Sequence, residues 1–137
     1  MRLTLIVASV LLAVPATAAP QRLDTITAAQ AISRAAAASP KAVRAVVQFK
    51  VASAVKSRGG YYLDSERDFH SAANLGIVIR PSAMPGLTQK YGDDLKSALV
   101  GKTVKVIGQV RRRVVAGGTA TATQLEVTHA GQILAVS

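Results

Sequence analysis

The sequence predicts a mainly β domain: a five-stranded Greek-key barrel, with one helix ahead of the first strand and another between the third and fourth. Three observations carry this. Apolar and polar residues alternate at period two through several stretches, as half-buried strands require. Glycines fall between or inside those stretches, where a small barrel needs tight turns or sharp bends. Two segments rich in helix formers, each opening on a capping residue, interrupt the strands.

The first twenty residues, MRLTLIVASVLLAVPATAAP, stand apart from that domain. Arg2 precedes an uncharged run from Leu3 to Val14, Pro15 breaks it, and Ala16-Thr17-Ala18 offers the small residues of a cleavage site. The run is shorter than the ~20 apolar residues of a membrane span. Residues 1–18 therefore read as a Sec-type signal peptide, 19–26 as a flexible lead, and 27–137 as one domain. The expectation is an exported protein, periplasmic or secreted, with no transmembrane segment after cleavage. Thiol redox chemistry is excluded, because the chain has no cysteine. The remaining length can bury a core without disulfides.

In order, Thr27 to Ser39 ("TAAQAISRAAAAS") is a helix with Thr27 as N-cap and Pro40 beyond its end. Its apolar face is mostly alanine, which predicts close packing. "AVRAVVQFKVASAV" sets Val47, Phe49 and Val51 against Gln48 and Lys50, the first strand. Gly59-Gly60 marks a turn, "YYLD" is the second strand and "NLGIVIRP" the third, ended by Pro81. "MPGLTQKYGDDLKSALVG" is helical, with Asp93 or Asp94 near a helix start and Gly101 at its close. "KTVKVIGQVRRRVV" is the fourth strand, with Val104, Val106 and Val110 on one face. Ala116-Gly117-Gly118 turns into the fifth, "TATATQLEVTHA", and "QILAV" is a short closing element. Three meandering strands, a helix and a hairpin follow the topology of an OB-fold.

Three segments make the likeness more specific: "ITAAQAI", "YYLDSERDFHSAANLGIVI" and "LVGKTVKVIGQV". Together they resemble small exported bacterial OB-fold domains, described as nucleic-acid-binding-like by fold similarity. The resemblance spans about residues 26–136 and rests on a Leu-Asp-Ser-type turn, an Asn before the third strand and Gly-Lys-x-Val opening the fourth. It implies a fold and not a ligand, since one fold hosts many functions.

Charge gives the class of partner. Seventeen Lys and Arg face seven Asp and Glu, a formal net charge of +10. Such an excess favours polyanions: nucleic acid, acidic glycans or anionic head groups. The densest charge is Arg111-Arg112-Arg113. On an extended strand Arg111 and Arg113 share a face with Lys105, and Lys50, Lys56 and Arg58 can add to it. An OB-fold binds across its second and third strands, and a basic groove there would track a phosphate backbone. The same arginines also suit a solvated edge strand that resists edge-to-edge pairing. Aromatic platforms are scarce, with no Trp, three Tyr and two Phe. Adjacent Tyr61 and Tyr62 must face opposite sides of their strand, and Tyr61 is taken as the one available to a ligand. Binding would then be weak, electrostatic and indifferent to sequence.

Asp64, Glu66, Asp68 and His70 fall at alternate positions, so an extended chain would point all four one way. A metal reading needs them on one ion, but Phe69 stands where a calcium loop needs glycine, and alternate strand residues lie ~6–7 Å apart. The alternative is a polar connection, with Asp64 and Ser65 bonding nearby amides and Arg67 offsetting the acids. Neither His70 nor His129 has a nucleophile motif around it. The sequence thus points to a non-catalytic binding module for an anionic polymer that uses Lys50, Lys56, Arg58, Tyr61, Lys105, Arg111 and Arg113, with no metal and no cofactor. A structural or protein-interaction role in the cell envelope is second. A metal-dependent hydrolase on Asp64, Glu66 and Asp68 is third.

Overall fold

A computed structural model describes residues 22–115, 118 and 120–137. The predicted signal peptide, residues 19–21 of the predicted lead, Ala116 and Gly117 of the predicted turn, and Thr119 at the start of the predicted fifth strand lie outside them. Thr27 caps the first helix, α1 (Ala28–Ala38), with a reciprocal pair: its hydroxyl accepts from Gln30 N at 3.2 Å, and Gln30 Oε1 accepts from Thr27 N at 2.9 Å. Ala31 and Ala35 are buried, and their methyls let the helix lie close on the sheet. Ahead of it, the end of the predicted lead forms β1 (Thr25–Ile26), which pairs in parallel with Val46 and Val47.

The predicted first strand is two, β2 (Val43–Lys50) and β3 (Ser53–Ser57). Between them the chain changes partners within two residues: Val51 N donates to Lys102 O, whereas Ala52 N donates to Asp64 O. The buried positions also change phase, from Val47, Phe49 and Val51 to Ala54. "VASAV" is apolar on both phases, so the alternation in sequence does not show the break. β4 (Gly60–Asp64) and β5 (Leu75–Ile79) follow as predicted. The predicted second helix is a 3-10 turn at Pro81–Ala83, then α2 (Met84–Tyr91) and α3 (Leu95–Leu99). Gly92, at φ 93°, separates the two helices, and Asp94 caps α3 by accepting from Ser97 N at 3.1 Å and Ser97 Oγ at 2.6 Å.

β6 (Thr103–Val115) is the longest strand, followed by β7 (Ala120–Val127), a 3-10 turn at Ala130–Gln132 and β8 (Ile133–Val136). The strands form one mixed sheet in the order β1-β2-β6-β7-β5-β4-β3, with β8 beside β6. The architecture is mainly β as predicted, but two expectations are corrected: the described residues form eight strands and not five, and their sheet is open, not a closed barrel. The three extra strands are β3, split from the predicted first strand, the two-residue β1, and β8 at the predicted closing element, all too short to show a period of their own.

Parity along the strands separates two faces. Leu63, Ile77, Leu125, Val106 and Val110 turn into the core with Leu87, Leu95 and Leu99 from the helices. Tyr62, Val78, Gln124, Glu126, Arg111 and Arg113 have the opposite parity and share the outer face. Below Val110, β6 leaves β7 and pairs with β8 instead. Gln132 fills the gap, its Nε2 donating to Ile107 O and Glu126 O, each at 3.0 Å. Those carbonyls have lost their ladder partners, and the amide satisfies both. Gly108 is needed beside it, because a Cβ there would lie 2.8 Å from Leu125 Cδ2 and 3.0 Å from Gln132 Nε2.

Candidate anion-binding groove

A groove of about 420 Å³ opens on the outer face where β6 and β7 diverge. Arg44 stands on β2 opposite Gln109, Arg111 on β6 opposite Gln124, and Arg113 two residues further on. Arg80 enters from the end of β5, its backbone N donating to Val127 O at 2.9 Å. Four arginines therefore line one concavity with Gln109, Gln124, Gln132 and a single carboxylate, Glu126. Glu126 lies on β7, between the strands that carry Arg80 and Arg113. It accepts from Arg80 Nε at 2.8 Å and from Arg113 Nη2 at 3.2 Å, one guanidinium to each oxygen. The hydrogen bond from Arg80 holds the Glu126 carboxyl below its ordinary range, and the charges of Arg80, Arg113 and Arg111 add to this against a smaller cost of burial. Among the described residues Arg44 and Arg111 make no ion pair. Two guanidinium forks thus face the groove with the amides of Gln109 and Gln124, Gln132 being engaged with Ile107 O and Glu126 O, a donor set suited to phosphate, sulfate or carboxylate oxygens.

Of the seven residues read from the sequence, the fold brings Arg111 and Arg113 together in this groove. Lys105 is on the same face of β6, but six residues from Arg111, or ~20 Å along the strand. Lys50, opposite Thr103, is farther still. Lys56 is in register with Tyr61, on the core-facing parity, and Arg58 sits in the turn ahead of Gly60. Tyr61 is corrected: it is 7 % exposed and packs in the core, while Tyr62 is 38 % exposed on the outer face. Parity decides this, since Tyr61 is paired with Ile79 and Leu63 with Ile77, both core residues. Tyr62 lies beside Val78 on β5, the strand whose end leads into Arg80. Arg44 and Arg80 were missed. Arg44 shares the outward parity of Gln48 and Lys50, a signal that was present; nothing local in "IRPS" distinguishes Arg80.

The acidic connection is a hydrogen-bonded loop. Asp64 is 6 % exposed and accepts from Asn74 Nδ2 at 3.0 Å and Ser53 Oγ at 3.4 Å. Asn74 Oδ1 accepts from Glu66 N at 3.0 Å, Ser65 Oγ accepts from Leu75 N at 2.8 Å, and Asp68 Oδ1 accepts from His70 N at 2.9 Å. Each of these carboxylate, amide and hydroxyl groups is turned to the loop's own backbone or neighbours. Among the described residues no three His, Asp or Glu side chains gather closely enough to hold a metal ion. No described helix is long and apolar enough to cross a membrane, which says nothing of strands.

No family model matches the chain, and no curated protein is similar to it. Among solved structures, it is similar to a protein from Leishmania major Friedlin assigned as an aspartyl-tRNA synthetase, at 11 % identity and a TM-score of 0.49. The match covers 82 % of this chain and 21 % of that one, so the chain spans about a fifth of that protein. A likeness this distant carries nothing about function.

Proposed function

We propose that this chain is a non-catalytic, OB-like binding module for an anionic polymer, with single-stranded nucleic acid as the leading ligand and acidic glycan as the comparison. The observation that supports it is the convergence of Arg44, Arg80, Arg111 and Arg113 on one groove beside a single carboxylate. A sheet face flanked by cations tracks a charged backbone, and one exposed aromatic, Tyr62, offers a single stacking position. Binding is electrostatic and indifferent to sequence. On this reading the protein is exported, and no step of bond making is assigned to it.

The test is fluorescence anisotropy of labelled single-stranded DNA at about 50 and 200 mM salt, with an acidic oligosaccharide of matched charge alongside. Binding should collapse with salt, and replacing both free arginines (Arg44→Gln/Arg111→Gln) should flatten the log–log salt slope by about 1.4, at ~0.7 per phosphate contact on a single strand. Equal binding of both polymers means that the groove reads charge alone. No binding at low salt ends the proposal. The second reading, a protein-interaction component of the cell envelope, would take Phe69, 60 % exposed on the acidic connection, as its contact residue. Co-purification of a partner that is lost on Phe69→Ser would support it.

A further inference from the structure

The groove holds an anion of its own. Glu126 places one carboxylate oxygen on Arg80 and the other on Arg113, at 2.8 and 3.2 Å, from the strand that lies between theirs. We propose that Glu126 is an internal competitor for the ligand: its carboxylate occupies the anion position between Arg80 and Arg113, and a backbone phosphate of a nucleic-acid strand takes that position by displacing it. This rests on the groove being the binding site.

Three features point this way. The site is divided: Arg44 and Arg111 face the groove unpaired among the described residues, while Arg80 and Arg113 are neutralised by one side chain. The latched half is exposed, at 45 % for Arg80, 39 % for Arg113 and 35 % for Glu126, and ion pairs in that setting contribute little to folding and open readily. The backbones that carry the two arginines do not depend on Glu126, since Arg80 N is bonded to Val127 O and Arg113 lies in the β6–β7 ladder. A lone phosphate meets two free arginines. A strand long enough to offer further phosphates gains two more by displacing Glu126, so the device favours polymers over small anions.

The alternative is a positioning role, in which Glu126 holds the two guanidinium groups in shape for the ligand. The two roles predict opposite signs. The experiment compares wild type, Glu126→Gln and Glu66→Gln by anisotropy on labelled single-stranded DNA across a salt series, with thermal unfolding recorded for each. Glu66→Gln makes the same charge change on the exposed acidic connection and measures the effect of net charge alone. As a competitor, Glu126→Gln binds more tightly at low salt than either reference. Its salt slope matches that of wild type, because both complexes carry the same phosphate contacts, so its gain in affinity persists between ~50 and ~200 mM salt. Glu126→Asp, charged but one methylene short of bridging both arginines, falls between the two and stands in if the glutamine variant does not fold. Inorganic phosphate should also bind Glu126→Gln more tightly than Glu66→Gln, because the vacated position between Arg80 and Arg113 fits a single anion. If wild type binds and Glu126→Gln binds no better than Glu66→Gln, or less well, the competitor role is overturned while the groove stands. If neither wild type nor variant binds, the groove itself fails as the site.

Discussion

Asn74→Ala tests whether the acidic connection is a folded polar network. Asn74 is buried, and its amide donates to Asp64 Oδ1 at 3.0 Å while its carbonyl oxygen accepts from Glu66 N at 3.0 Å. Truncation leaves the Asp64 carboxylate, itself 6 % exposed, with Ser53 Oγ at 3.4 Å as its remaining side-chain donor. A hydrogen bond to a charged group is worth about 1.5–3 kcal/mol, and the exposed Glu66 amide can recover part of its loss from water. The variant should therefore lose about 3 kcal/mol of stability. At about 4 °C per kcal/mol for a domain of this size, Tm should fall by about 12 °C. Thermal and urea unfolding measure it directly. A double-mutant cycle sharpens the test, because Asp64→Ala/Asn74→Ala removes the stranded charge and should cost about 1–2 kcal/mol less than the sum of the singles. A Tm within about 3 °C of wild type for Asn74→Ala, or an additive cycle, would refute the network. Added Ca²⁺ should not rescue either variant.

Further outcomes follow from the same geometry. Tyr61→Ala empties a core position and should cost about 3–5 kcal/mol in urea unfolding, as large aromatic truncations do. Tyr62→Ala should leave the midpoint nearly unchanged and weaken single-stranded DNA binding by about 1–3 kcal/mol, the loss of one stacked base. Gly108→Ala drives a methyl into Leu125 and Gln132 and should cost about 1–3 kcal/mol by overpacking, read as a fall in Tm. For pH, the carboxyl of Glu126 is held below its ordinary ~4.3, so its stabilising contribution is complete above that value and is lost as pH falls through the lower, folded value. The pair is exposed, so the contribution is under ~1 kcal/mol, and Glu126→Gln should show a correspondingly flatter stability profile below about pH 4.

The helix caps at Thr27 and Asp94, the alanine face of α1 and the inward valines of β6 were legible in the sequence. Each is a local matter of period or of one side chain within hydrogen-bond reach of the next turn. The β2–β3 break was not legible, because "VASAV" offers apolar residues at both odd and even positions and a change of pairing partner there leaves the pattern intact. The choice between Tyr61 and Tyr62 was also closed to it: adjacent residues on a strand must separate, but only the register with Ile79 and Val78 says which one meets the core. The groove lies furthest from local reading. Arg44, Arg80, Arg111 and Arg113 come from three strands, and Glu126 reaches its arginines from a fourth. By itself, the sequence determined a cysteine-free, basic, mainly β chain and the inward faces of β2 and β6, because composition and alternation are properties of neighbouring residues. Only the tertiary structure decided that the sheet stays open, that Lys50, Lys56 and Lys105 stand away from the groove, and that a single glutamate neutralises half of it. Those outcomes depend on strand order and register, which long-range packing sets.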